Sequence, residues 1–171
     1  KKVDLNETER VGILLARRAA GRPEDRSLIP SFLADDSEEV RFLAAKWIAD
    51  EKLSAFRPQV VEALKDKQLN VHLFAAFSTA LARIDGQEVN ESRLGEYFLT
   101  RLLDEKSSPG LRVLALQMVP ANHPKLTPDL LSKLLAQDVP LLQREAVRAL
   151  GEHPGAKGGA MLLEAARNLK L

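Results

Sequence analysis

The sequence has no cysteine, which rules out disulfides, thiolate nucleophiles, iron–sulfur ligation and haem attachment through CxxCH within these residues. Aromatic residues are only 5% of the chain while Leu and Ala abound; that balance favours helices, because strands draw on aromatic and β-branched side chains. No run of 18 apolar residues occurs, so no segment has the pattern of a membrane-crossing helix. A strong charge of one sign is missing too. Residues 1–55 carry 10 basic and 11 acidic side chains, 56–110 carry 7 and 8, and 111–171 carry 8 and 5. Counterion release on nucleic acid needs a basic surplus that no segment supplies, so no nucleic-acid partner is expected. The chain opens on Lys1-Lys2 rather than Met, and we expect it to be a piece of a longer protein, forming a single repeat domain over residues 1–171.

What is present is a repeat. Val40-Arg41-Phe42-Leu43-Ala44, Val71-His72-Leu73-Phe74-Ala75, Leu111-Arg112-Val113-Leu114-Ala115 and Leu142-Gln143-Arg144-Glu145-Ala146 share a pattern. The step from Ala44 to Ala75 equals that from Ala115 to Ala146. The middle step, from Ala75 to Ala115, is longer, which a turn at Asp85-Gly86-Gln87-Glu88 explains. Apolar residues at i, i+3, i+4, i+7 and i+8 mark one buried helical face, and Val40, Leu43, Ala44, Trp47 and Ile48 fit it. Trp47 is therefore expected in the core. Shorter amphipathic helices are expected from Leu28-Ile29 to Leu33, Val60 to Leu64, Leu94 to Leu103 and Leu130 to Leu135. Arg57-Pro58, Asn90-Glu91 and Thr127-Pro128 carry start signals, since Pro suits a first turn whose N–H groups lack partners. Further helices are expected near 7–20 and 156–169, with Leu5, Val11 and Ile13 at one end and Met161, Leu162 and Leu163 at the other as partial caps.

The pattern resembles the HEAT repeat family, in which a B helix opens with Asp, then Val-Arg, then spaced alanines. Asp35, Val40-Arg41 and Ala44-Ala45 match best. The resemblance implies an all-α fold: a right-handed α–α superhelix, a HEAT/armadillo-like solenoid of about four helical hairpins plus flanking helices. It also implies a ladder of hydrogen bonds between stacked repeats. Asp35 and Arg41 would be the intact pair, Asp66 would face His72 in place of an Arg, and Arg112 would face Lys106 in place of an acid. Gln137 and Gln143 stand at the fourth rung. A narrower similarity links residues 40–51 to the helical segment of large bacterial exported proteins that join a propeller-like dehydrogenase domain to a cytochrome c domain. That similarity would make this segment a spacer in an exported chain.

The candidates for chemistry have plainer readings. His123-Pro124 and His153-Pro154 sit at nearly equivalent places, but a zinc site needs three or four ligands, so two turns before helix-stopping prolines are expected. Gly155-Ala156-Lys157-Gly158-Gly159 lacks the glycine spacing, the hydroxyl and the strand of a phosphate loop. Asp35-Asp36 and Glu38-Glu39 suit a helix start, where negative charge is favourable. We therefore expect no enzyme and no cofactor. HEAT-like folds include DNA glycosylases and bilin lyases; the near-neutral charge weighs against the first and the missing acidic and aromatic pocket against the second. Expected instead is a protein-binding scaffold, its partner another protein or a neighbouring domain of the same chain. Two B helices are apolar almost all round. That pattern fits either burial on both sides or an exposed strip of Phe42, Leu73, Phe77 and Val113 bordered by Arg144 and Arg148.

Overall fold

The computed structural model describes residues 5–66, 69–87, 90–153, 159–161 and 163. Among the described residues there are helices and turns but no strand. The expected 155–159 loop and the helix near 156–169, with the cap residue Leu162, lie outside the described residues apart from 159–161 and 163. The chain forms two compact units, Lys1–Val89 and Asn90–Leu171.

In the first unit, α1 (Glu7–Ala20), α3 (Glu38–Glu51) and α5 (Val71–Ile84) are long, while α2 (Ile29–Leu33) and α4 (Arg57–Ala63) are short. Local sequence sets the boundaries. Asn6 opens α1 by accepting the Glu9 N–H while the Glu9 carboxylate accepts the Asn6 N–H. Ser37 and Asn70 cap α3 and α5 with their side-chain oxygens, which satisfies donors that have no carbonyl within the helix. At the other end Gly21 (φ 64°) and Lys52 (φ 51°) turn left-handed to stop α1 and α3. 3-10 turns over Pro23–Leu28 and Ser54–Phe56 then lead into α2 and α4. One constant interval relates the first hairpin to the second: it carries the cap Asn6 to Ser37, the stop Gly21 to Lys52 and the turn start Pro23 to Ser54. Helix α3 packs against both α1 and α5, and α2 packs on α3 as α4 packs on α5. Trp47 is core, as its position in the pattern predicts, and its indole N–H is satisfied by Glu51 at 2.8 Å.

The next interval is different. Val40, Ala44, Ala45, Trp47, Ile48 and Ala49 are the buried residues of α3. In α5 the same spacing falls on Leu73, Phe77, Ser78, Ala80, Leu81 and Ala82. The alignment of Val40 with Val71 is thus corrected: Leu73 takes the place of Val40, and Val71 is the first residue of α5 and 38% exposed. The cause is the connection, which runs from Leu64 to Asn70 before α5 but only from Ala34 to Ser37 before α3. The apolar face must still point inward, so cap, helix start and buried positions move together, Ser37 to Asn70 as Val40 to Leu73. One misfit results, because the Ser78 hydroxyl is fully buried without a hydrogen-bond partner. An unsatisfied buried hydroxyl is costly, so Ser78→Ala should stabilise the chain by about 1 kcal/mol, read as a higher urea midpoint at unchanged slope.

In the second unit, α6 (Glu91–Leu103) packs on α7 (Pro109–Met118), and α9 (Pro140–Glu152) packs on both α7 and α8 (Pro128–Leu135). Ser108, Asn90 and Thr127 are N-caps, and Pro109, Pro128 and Pro140 stand in first turns. Phe98, Leu102, Leu116, Leu131, Leu134 and Leu150 form its core.

Candidate interaction surface

Arginine–aspartate pairs occur in the first unit, but not the expected one. Asp35 is not joined to Arg41: Arg10 Nε lies 3.1 Å from Asp35 Oδ2, and Arg10 Nη2 donates to Asp36 at 2.7 Å. Arg41 reaches the following acid instead, with Nη2 2.9 Å from Asp66 Oδ2 and the guanidinium 5.6 Å from the Phe77 ring centre. Each rung therefore runs forward along the chain, Arg10 to Asp35 and Arg41 to Asp66, and Asp66 has an arginine where the sequence pattern offers only His72. Arg10, which the sequence reading missed, is the first rung. Its signal is present, since Arg10 and Arg41 stand as far apart in sequence as Asp35 and Asp66 do. His72, the residue in the third basic place, turns back, its Nδ1 2.9 Å from Glu38 Oε1 and its ring stacked on Phe42 at 4.3 Å. In the second unit Arg112 is buried and gives its Nε–H to the Leu102 carbonyl at 2.8 Å, closing the end of α6 rather than meeting an acid. Gln143 likewise donates to the Leu135 and Gln137 carbonyls.

Carboxylates beside these contacts are held in charged form. Burial pushes the Asp25 carboxyl up, but hydrogen bonds from Arg22 and Arg17 outweigh it, so it titrates below the ordinary range. Burial raises Asp50 as well, and Arg18 and Lys46 overturn that effect. A hydrogen bond from His72 is the main cause that lowers Glu38. Groups with depressed folded values contribute stability above the unfolded value, which is lost as pH falls through the folded one. The urea midpoint should therefore be flat from about pH 7 to 5 and fall steeply below about pH 4, the ordinary carboxylate region.

The histidines at 123 and 153 each have partners of their own. His123 is buried against Gly95, accepts the Lys125 N–H at Nδ1 (3.3 Å) and has Nε2 3.7 Å from Glu96. His153 donates from Nε2 to the Leu126 carbonyl at 2.9 Å. Both rings brace one turn, and among the described residues no group of three metal-ligating side chains gathers. A cavity of about 410 Å³ lies beside Arg41, lined by Pro30, Leu33, Ala63 and the carboxylates of Asp35, Glu62 and Asp66. Each of those carboxylates already faces a cation, Arg10, Lys65 and Arg41 in turn.

The later start of α5 bears on the choice between burial and an exposed strip. Leu73 and Phe77 are core residues, 3% and 0% exposed, and cannot touch a partner. Phe42 and Val113 are half-buried and Arg144 is exposed, while Arg148 is paired with Glu145 and Glu152 of its own helix. Following the true equivalences, the outward row through Phe42 contains Val11 and Ala75, and the next contains Gly12, Leu43 and Ala76. All six are half-buried except Gly12, which is exposed. One turn further on, Leu15 is 45% exposed, with Lys46 and Thr79 at the equivalent places. Thus α1, α3 and α5 present mostly small or apolar residues along a common outward band, with Lys46 its one charged member. The band ends in charge on both sides. At the helix starts Glu7 accepts the Ser37 hydroxyl and Glu38 meets His72, whereas Glu39 engages no described side chain. At the helix ends Asp50 is matched by Arg18 and Lys46, whereas Arg83 engages no described side chain. The chain matches no protein-family model, no curated protein and no solved structure.

Proposed function

We propose that the chain is a non-catalytic interaction or spacer scaffold of the HEAT kind, its helical hairpins stacked as a right-handed solenoid. The observation that carries the reading is the low-charge band across α1, α3 and α5, at positions a solenoid would offer to a partner. Repetition of caps, stops and Arg–Asp rungs at one constant interval supports the stacking. The shifted carboxylates Asp25, Asp50 and Glu96 each answer to a neighbouring cation, which gives them structural work rather than a reaction to perform. Stacked repeats supply extended surfaces, and a fold of this kind does not by itself imply chemistry. A photo-crosslinking amino acid placed at Lys46 in the native host should capture a defined protein, or another domain of its own chain, while one at exposed Ser31 on α2 should not. Equal yields at both positions, or none at either, would overturn the reading.

A further inference from the structure

We propose that the band on α1, α3 and α5 takes an amphipathic helical segment of a partner protein with basic residues on one flank and acidic residues on the other. This rests on the scaffold reading above. Three observations converge on that occupant. The centre is apolar and accessible, with Leu15 exposed and Val11, Phe42 and Leu43 half-buried among alanines and Gly12. Small residues at Gly12, Ala75 and Ala76 let a helix approach closely, and an apolar helical face seats by its i, i+3, i+4 anchors. The two edges then differ in sign. Among the described residues the charges on the band's edges without a partner side chain are Glu39 where α3 starts and Arg83 where α5 ends, while Glu7, Glu38, Arg18, Lys46 and Asp50 are satisfied within the unit. Opposite edge charges do more than attract: they fix which way the segment runs, because reversing it would set like charges together.

The experiment uses a designed peptide with a leucine face, lysines on one flank and glutamates on the other, titrated into the full chain at low ionic strength. Controls carry lysine or glutamate on both flanks. The mixed peptide should bind at least roughly fivefold tighter than either control, and Glu39→Lys or Arg83→Glu should each weaken it by a similar factor. Combining the two reversals should restore affinity with the peptide direction inverted, read from a spin label on its N-terminus that moves from the α1 end of the band to the α5 end. Leu15→Ser should weaken all three peptides by roughly tenfold. Equal binding of the three peptides, or a double reversal that fails to recover, would overturn the proposal. So would edge charges that alter melting temperature but not affinity, since they would then serve the helix dipoles alone. Crosslinking at Lys46 to an apolar or globular surface would defeat this inference while leaving the scaffold reading intact.

Discussion

Phe77→Ala should destabilise the first unit by about 3–5 kcal/mol, whereas Phe42→Ala, one helix away, should cost only about 1 kcal/mol. The sequence pattern allows both either burial or a place on one exposed strip; the structure separates them. Phe77 is fully buried in α5 beneath the Arg41 guanidinium, so truncation removes a whole aromatic side chain from close packing and leaves a cavity. It also takes the ring away from a partly buried arginine. Phe42 keeps one side open and stacks the other on the exposed ring of His72, so its loss forfeits one stacking contact and some half-covered area. Denaturant titration of both variants measures the contrast. Similar losses at the two positions would mean that α5 does not sit in the register that pairs Leu73 with Val40.

Gly95→Ala should destabilise the second unit by about 1–2 kcal/mol net, the reverse of the usual result in a helix. Alanine in mid-helix ordinarily gains about 1 kcal/mol over glycine, and Gly95 lies in the interior of α6. A Cβ there would stand 2.9 Å from His123 Cδ2 and 3.3 Å from Pro120 Cδ. Neither neighbour is the free end of a long side chain. His123 is buried and bound through Nδ1 to the Lys125 N–H, and Pro120 is tied into the same turn by the His123 N–H to its carbonyl. Relief must therefore come from moving the turn between α7 and α8. His123→Ala in the Gly95→Ala background should recover part of the loss, a coupling that a double-mutant cycle reads directly. A stabilised Gly95→Ala would show that the turn yields freely.

Most helices are legible in the sequence because their signals are local. Asn90 and Thr127-Pro128 read as starts from residue type alone, and both are caps in the structure. Trp47 is assigned to the core by the spacing of its neighbours. The misreadings arise where the answer depends on the length of a connection. Val40 and Val71 look alike in sequence, and only the longer link before α5 decides that Leu73 takes the place of Val40. A helix turns about 100° per residue, so moving the register from Val71 to Leu73 exchanges inside for outside. The sequence pattern therefore leaves Leu73 and Phe77 open to either burial or a partner, and the structure buries both. The ladder fails differently. Asp35 and Arg41 are near in sequence, yet Asp35 lies before the Ser37 cap and Arg41 after it, so each bonds to a neighbouring repeat. Nothing local distinguishes those partners; the equal separation of Arg10 from Asp35 and of Arg41 from Asp66 does.

The unequal intervals have a bearing on protein engineering. A consensus module averaged from columns that align Val40 with Val71 would mix the buried Phe77 with surface positions and blur the very pattern that directs each helix inward. The portable module is instead the stretch from Ser37 to Leu69, cut from one cap to just before the next and keeping its own connection length. Copies of it, joined cap to cap, would carry both the rung and the outward band into a designed array whose length sets the size of that surface.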